Sequence, residues 1–374
     1  MRILLLEPYF GGSHAAWAEG YAAASGHDVS LLTLPARFWK WRMRGAALTL
    51  ADMTLDLVAT SGQPDLVLAS DMLDLPTFLG LTRHELGRPA VALYMHENQI
   101  SYPPPEGAST DHSYGFTNWL SAVTADLVLF NSQYHLEEFF SVLPGLLGSL
   151  PDFTHIALIP AVRARSEVLP VGIDLERLVE RPGPDGPPVV LWNQRWEYDK
   201  NPEAFFQALY RLIDEGYEFQ VILAGENFRN RPNEFIDAER RLGNRLLHGG
   251  FLPAARYVEI LSRSDVVVST ALHEFFGVAV VEAIAAGAFP VLPRRLSYPG
   301  LIPTNYHEAC FYEDDEGLID RLRWVLTHRT EARAVASKLA SAMSKFGWTS
   351  LGDRYDSRLA GLVSRGSPPG DKGA

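Results

Sequence analysis

Short apolar runs, residues 65–70, 90–97, 126–132, 219–225 and 265–270 among them, alternate with stretches of helical length. Runs that are apolar throughout and too short for helices read as strands buried on both faces. Strands alternating with helices imply right-handed βαβ units around parallel sheets. The chain is therefore expected to be an α/β protein. At 374 residues it exceeds the size at which single cores stop growing, so two domains are expected. The pattern breaks around Glu167-Val168-Leu169-Pro170-Val171-Gly172-Ile173-Asp174, and Arg181-Pro182-Gly183-Pro184-Asp185-Gly186-Pro187-Pro188 follows. Pro and Gly at that density forbid regular structure and mark a hinge. The expected organisation is a first domain at 1–174, a second at 175–345, and a C-terminal segment at 346–374. That segment begins as a helix and ends, from 364, in a Gly/Pro/Ser/Lys-rich disordered tail.

In open parallel sheets, ligands bind at the carboxyl ends of strands against helix N-termini. After the run 265–270 that place is taken by His273-Glu274-Phe275-Phe276-Gly277-Val278-Ala279-Val280-Val281-Glu282-Ala283-Ile284-Ala285-Ala286-Gly287. A helix starting at the turn Phe276-Gly277-Val278 would aim bare N–H groups and a positive dipole end at a phosphate. Glu274 and Glu282 would repel that phosphate. They are assigned instead to the hydroxyls on either side of a diphosphate, since a carboxylate is an acceptor-only group suited to O–H donors. A sugar nucleotide has such hydroxyls. An ordinary amphipathic helix with two solvated glutamates fits the same letters. The strand that opens the second domain runs from Val189 into Arg195, then Lys200, then Pro202, a proline suited to a first helical turn. Arginine as a planar fork and lysine as a point charge can share one diphosphate. The four residues together describe one ligand, with cations on its diphosphate and carboxylates on its sugars.

The first domain has its own polar clusters at strand ends. Pro8-Tyr9-Phe10-Gly11-Gly12-Ser13-His14 follows a strand at 2–7 and precedes an alanine-rich helix. The glycines allow close approach of a ligand, and a plain tight turn fits too. Leu93-Tyr94-Met95-His96-Glu97-Asn98-Gln99-Ile100-Ser101-Tyr102-Pro103 bunches polar groups at a strand end. There His96 could donate to a sugar hydroxyl or meet the charge developing at an anomeric carbon, or be satisfied by its own loop. Asn98, Tyr102 and, after a proline-rich loop, Tyr114 are placed toward the acceptor. Residues 1–170 hold nine Lys and Arg against 17 Asp and Glu, yet four of those nine fall in Arg37-Phe38-Trp39-Lys40-Trp41-Arg42-Met43-Arg44. Cations hold a phosphate backbone and aromatic faces stack on unpaired bases, so Arg37, Trp39, Lys40, Trp41, Arg42 and Arg44 are candidate RNA contacts. A helix entry that buries its tryptophans and solvates its arginines is the alternative.

Composition sets bounds. One cysteine, Cys310, excludes an intramolecular disulfide and fits a reducing cytoplasm. The opening run Ile3-Leu4-Leu5-Leu6 meets Glu7 too soon for a signal peptide. No apolar run reaches the roughly 18 residues that span a bilayer. A cytoplasmic location is expected, with peripheral membrane contact open. The net charge of −12 argues against non-specific nucleic-acid binding by the whole surface, though not against a local basic patch. The acidic cluster Glu313-Asp314-Asp315-Glu316 reads as a solvated turn, and no metal site is expected.

The two glutamates resemble the E-x7-E signature of retaining family 4 glycosyltransferases, and Arg195 with Lys200 resembles their R-x4-K pair. That family has the GT-B fold, two Rossmann-like domains with parallel sheets facing across a cleft and a C-terminal helix crossing back to the first domain. The resemblance implies that Glu274 contacts the donor sugar and Glu282 the nucleotide ribose. It places Gly225 and Glu226, after the strand at 219–225, by the base and ribose. Leu247-His248-Gly249-Gly250-Phe251-Leu252-Pro253 resembles the family's segment lining the base pocket, so Phe251 joins the donor site. Gly12 falls to the donor and His14 to the acceptor. Residues 167–174 resemble the inter-domain crossing, with Val171 where asparagine is usual. The chain lacks the Asp-x-Asp motif of metal-dependent GT-A enzymes, so Arg195, Lys200 and a helix N-terminus would neutralise the leaving group, with no cofactor. Residues 2–14, 34–44, 96–103, 193–202 and 273–277 together are similar to the tRNA-queuosine alpha-mannosyltransferase group, without the long insertion its eukaryotic members carry near the linker. This implies GDP-mannose as donor and the queuosine of a tRNA anticodon, by resemblance that of tRNA-Asp, as acceptor. A lipid or polysaccharide acceptor at the membrane surface is the rival, and a non-catalytic sugar-nucleotide binder a second.

Overall fold

The computed structural model describes residues 1–103, 111–178, 186–225 and 232–366. The chain divides into two compact units, Met1–Ile173 with Trp348–Ala374, and Asp174–Gly347. In the first, β1 (Arg2–Phe10), β2 (Asp28–Pro35), β3 (Leu66–Ser70), β4 (Ala90–Met95), β5 (Leu127–Phe130) and β6 (Ser166–Val168) form one sheet in the order β2-β1-β3-β4-β5-β6. In the second, β7 (Val189–Trp192), β8 (Gln220–Ala224), β9 (Leu246–Gly250), β10 (Val266–Val268), β11 (Phe289–Pro293) and β12 (Phe311–Tyr312) pair in the order β12-β11-β10-β7-β8-β9. Among the described residues, every neighbouring pair is parallel. The α/β expectation holds in both units.

Burial explains the apolar runs. β3, β5, β7, β10 and β11 are buried at every position, because helices cover both faces of each sheet. One face of the first sheet carries Leu4, Leu6, Val67, Ala69, Leu93, Met95 and Phe130 into a continuous core. Strand limits differ at the ends. β1 runs on to Phe10, which pairs with Pro35 after a shift of register. β10 stops at Val268, and the next two hydroxyls turn to other partners: Thr270 donates to the Lys200 carbonyl (2.8 Å) and Ser269 meets the Tyr298 hydroxyl (2.6 Å). The acidic turn is a helix start: Asp314 caps the helix Asp315–Thr327 by accepting from Gly317 N–H (2.8 Å), and Glu313 pairs with Arg294 (2.7 Å).

The helix Trp348–Gly366 belongs to the first unit. Tyr355, fully buried, accepts from Trp17 Nε1 (3.2 Å) and donates to the Pro170 carbonyl (2.8 Å), while Asp356 accepts from Tyr21, Ser25 and the Gly26 N–H. Helical structure therefore continues through Gly366, past the expected start of disorder at 364; residues 367–374 lie outside the described residues. The Trp348 indole is seated between two glycines. A Cβ on Gly20 would fall 2.0 Å from its Nε1, and one on Gly172 2.4 Å from its Cδ2. Gly20→Ala and Gly172→Ala are each expected to destabilise by about 1–3 kcal/mol through overpacking. Gly361→Ala, in the same helix with nothing within 4 Å of its Cβ, is expected to stabilise by about 0.5–1 kcal/mol. Thermal midpoints check both signs.

Candidate active site

In the second unit β8, β7 and β10 are neighbours, so the loops leaving their carboxyl ends converge. Gly225 is required there, since a Cβ would fall 2.0 Å from the Gln194 carbonyl oxygen. Lys200 sits in the loop after β7 and is 7% exposed. Its Nζ donates to the His273 carbonyl (2.8 Å) and to Glu274 Oε2 (3.3 Å), and lies 3.2 Å from Asp199 Oδ2. The Asp199 carbonyl in turn accepts from Leu272 N–H (2.8 Å) and His273 N–H (3.3 Å). The loops after β7 and β10 are thus sewn together around one ammonium.

An ammonium has three donors; two are hydrogen-bonded, and the Asp199 carboxylate lies within ion-pair distance. Two carboxylates on one cation leave the group net negative. Burial alone would push Lys200 down, but Glu274 and then Asp199 outweigh it and raise it further above its ordinary value. Burial pulls Glu274 up, and Lys200 with the Phe276 N–H more than compensates, so it stays ionised. His273 is neutral, brought down to about 4 by burial and then by the Lys200 charge. Arg195 is half exposed and lies 3.5 Å from Glu197.

Glu282, on the helix Val278–Ala285, is 7% exposed. Its Oε1 takes Arg177 (2.5 Å) and its Oε2 the Tyr257 hydroxyl (3.1 Å). Asn193 Nδ2 donates to that hydroxyl (3.0 Å) and to the Ala279 carbonyl (2.7 Å). Gly277 caps the helix at φ 97 without a side-chain bond, so its first N–H groups have no cap. Phe276 is buried, Val278 opens the helix, and Phe251 stands 63% exposed after β9. Glu226 lies outside the described residues.

In the first unit β1, β3 and β4 are neighbours, and each brings a titratable side chain to its carboxyl end. Glu7, fully buried, accepts from Tyr9 N–H (2.8 Å) and pairs with His14 Nδ1 (3.1 Å). Asp71 accepts the His96 N–H on Oδ1 (2.8 Å), while its Oδ2 is buried without a partner. The His96 ring lies 4.2 Å from His14, tilted at 38°, and edge-on to Trp17 at 4.7 Å, and its Nε2 is also buried without a partner. Burial lowers His14, but the Glu7 carboxylate, by charge and hydrogen bond, outweighs it and raises the imidazole to about 9. Burial, then the His14 charge, holds His96 well below its ordinary value. Burial raises Asp71 to about 8 against the pull of His14. Two adjoining imidazoles therefore differ in charge at neutral pH, a separation that marks acid–base sites.

The remaining candidates divide. Gly12 is exposed at φ 53 in the first helical turn, beside His14. Asn98, placed toward the acceptor from sequence, is fully buried: its Oδ1 accepts from Ile100 and Ser101 N–H (3.0 Å each) and shapes its own loop. Tyr102 is half-buried. Trp39 and Tyr114 pack together (5.2 Å) beside Met43 and Met72. Arg42 donates through Nε and Nη2 to the Pro35 carbonyl (3.1 Å each). Trp41 is 63% exposed, and Arg37, Lys40 and Arg44 are exposed. Sequence reasoning passed over Glu7, Asp71 and Asp199, although the strand-end rule that found His96 covers them. Arg177 and Tyr257 had no local signal.

Residues 2–173 match the family tRNA-queuosine alpha-mannosyltransferase N-terminal, and residues 176–343 the family Glycosyl transferases group 1. A tRNA-queuosine alpha-mannosyltransferase of Drosophila melanogaster is 34% identical over 312 residues, 80% of this chain and 81% of that protein. A GDP-mannose-dependent alpha-(1-6)-phosphatidylinositol dimannoside mannosyltransferase of Mycobacterium tuberculosis is 26% identical over 178 residues, 43% of this chain and 45% of that one. The catalytic domain of starch synthase IV from Arabidopsis thaliana, bound to ADP and acarbose, matches with a TM-score of 0.76 at 13% identity, covering 98% of this chain and 100% of that one. The likeness identifies the fold as GT-B.

The His14 pairing sets a pH window. Its folded value, about 9, lies above the ordinary 6.5. Its contribution, on the order of 3 kcal/mol, is complete below pH 6.5 and is lost as pH rises through 9. In histidine NMR spectra His14 is expected to stay protonated at pH 7.5. Glu7→Gln should bring its titration to pH 7 or below and flatten the stability loss across that window. An unmoved His14 titration in the variant would refute the pairing.

Proposed function

The chain belongs to the tRNA-queuosine alpha-mannosyltransferase family, and from that premise we propose that it is a retaining, metal-independent enzyme moving mannose from GDP-mannose to the cyclopentene diol of queuosine in a tRNA anticodon. That it is a glycosyltransferase follows from the family. The observation that carries the finer reading is Lys200, a buried ammonium that bonds the His273 carbonyl and Glu274 and faces the Asp199 carboxylate. A diphosphate entering beside it takes over the carboxylates' share of the ammonium. The exchange replaces one charge-assisted contact with another, and it frees Glu274 to accept hydroxyls of the sugar. Glu282 keeps lone pairs beyond those given to Arg177 and Tyr257 and accepts from the ribose. Arg195 and the uncapped N–H groups after Gly277 supply the remaining positive potential.

Transfer then proceeds with retention. The acceptor hydroxyl attacks C1 on the face from which the diphosphate leaves, the C1–O(phosphate) bond breaks, and the hydroxyl proton passes to the departing diphosphate. The products are GDP and mannosylated tRNA. A guanine nucleotide as donor is supported by the family and by the GDP-mannose-dependent relative. A tRNA acceptor would place the enzyme in the cytoplasm; among the described residues no helix is long and apolar enough to cross a membrane.

The direct test is transfer of radiolabelled mannose from GDP-mannose to tRNA, with tRNA lacking queuosine as control; label is expected only on the queuosine-containing tRNA. Glu7, His14 and His96 bring one ligand atom each within 4.8 Å of one another, but Glu7 and His14 already satisfy each other across 3.1 Å. EDTA is therefore expected to leave transfer unchanged; loss restored by a divalent cation would make that trio a metal site. Removing Lys200 strands the buried Asp199 carboxylate beside the half-buried Glu274, so Lys200→Met should destabilise by about 3 kcal/mol as well as abolish turnover. Arg195→Met should keep the melting temperature and weaken GDP-mannose binding by roughly tenfold or more. A tight-binding Arg195→Met would remove that residue from the donor site.

A further inference from the structure

We propose that Phe38 and Trp41 form a base-stacking platform for the unpaired nucleotides of an RNA loop, ringed by Arg37, Lys40, Arg42 and Arg44. The proposal rests on the tRNA reading above and names the surface that would receive the RNA. Phe38 and Trp41 are 77% and 63% exposed, in a unit where Trp17 and Trp119 are buried and Trp39 and Trp348 half-buried. Phe38 has φ 54 and ψ 56, the left-handed region that a bulky side chain rarely enters. Such strain persists only where the surroundings impose it, and it clusters at functional positions. Here the imposing bonds are visible: the Phe38 carbonyl accepts from Trp41 N–H (2.8 Å) and Arg42 N–H (3.0 Å), and Arg42 clasps the Pro35 carbonyl. The loop is fixed, and the ring is turned out to solvent.

Trp41 is fixed as well. Its indole lies against Gly45, where a Cβ would fall 2.8 Å from Cζ2. One side of the ring therefore rests on the helix and the rest is open. Around the two rings, among the described residues, none of the four cations makes an ion pair within 4.0 Å. Arginines elsewhere are tied down, Arg163 to Glu137, Arg241 to Asp214 and Arg323 to Glu215. The acid that senses the patch is Asp111, lowered first by its bonds from Ser113 and then by Arg44 and Lys40. Open aromatic faces interleaved with cations that face no carboxylate within ion-pair distance, on a chain of net charge −12, match a polyanion with exposed bases.

The patch is also joined to the titratable cluster. Trp39, Tyr9, Met43, Met72 and Tyr114 pack into one small core. Met72 follows Asp71 in the chain, and the Tyr9 ring lies 6.0 Å from His14. Ala36 touches the first loop, where a Cβ on Gly11 would fall 2.5 Å from its own Cβ. A stem-loop whose bases stack on Phe38 and Trp41 thus has a neighbouring nucleotide within reach of His14 and His96.

The test measures affinity for a queuosine-containing anticodon stem-loop by fluorescence anisotropy. Phe38→Ala and Trp41→Ala should each weaken binding by roughly tenfold or more, with GDP-mannose affinity and melting temperature unchanged, since stacking on an aromatic is strong per base. Phe38→Tyr should bind as wild type does. Gly45→Ala keeps every aromatic and cation but displaces the indole; it should lose affinity while holding or gaining stability. Arg37→Gln with Lys40→Gln should flatten the salt dependence. Wild-type affinity in the Phe38→Ala, Trp41→Ala double variant, with wild-type protein still modifying tRNA, would overturn the platform alone. A wild-type protein that neither binds nor modifies tRNA would overturn the platform and the function together. Sedimentation with phosphatidylglycerol vesicles, abolished in the double variant, with stem-loop affinity untouched, would assign the patch to a membrane and overturn the proposal.

Discussion

A buried ammonium cannot be left without acceptors. Lys200 meets that constraint with a backbone carbonyl and two carboxylates, and the second unit's candidate site follows from how those acceptors are delivered. Asp199 is its neighbour in sequence, while His273 and Glu274 come from the loop after β10. For all of them to reach one nitrogen, the two loops must lie side by side, and the Asp199 carbonyl, accepting from Leu272 and His273, locks them there. The parallel order β10-β7-β8 makes the arrangement possible, since all three strands end at the same edge. Before any ligand arrives the site is therefore held by internal charge pairs of the kind an anion can replace.

The first unit solves a similar problem with protons. Glu7, His14, His96 and Asp71 share a buried edge without a lysine or arginine among them, and burial penalises every charge there. One ion pair, His14 with Glu7, survives because its partners touch. His96 becomes neutral and Asp71 shifts up to about 8, each yielding to burial for want of a close countercharge. The chemistry open to each residue is thus set by its neighbours: His14 is a fixed cation and His96 a neutral imidazole, although their side chains are identical.

Much of the fold was legible from pattern. The runs in 65–70, 90–97, 126–132 and 219–225 became β3, β4, β5 and β8 because continuous apolar sequence leaves a short segment only the interior of a covered sheet. The strand-end rule located His96, Lys200 and Glu274. Direction it does not give. Asn98 stands at that edge with its Oδ1 turned inward to shape its loop, and Arg42 anchors the basic patch by giving Nε and Nη2 to the Pro35 carbonyl. Residue type and place were readable, whereas orientation depended on which backbone groups happened to lack partners.

The sequence by itself determined the α/β class, the parallel sheets, the edges at which chemistry gathers and the residue types present there, because these follow from local periodicity and from polar letters at the ends of apolar runs. Only the tertiary structure decided which groups pair: Arg177 and Tyr257 on Glu282, Glu7 on His14, Trp348 between Gly20 and Gly172. These partners are far apart in the chain or come from different loops, with no period linking them. Electrostatic interaction depends on separations of a few ångströms and on the exclusion of water, and both are fixed only when the strands are laid side by side.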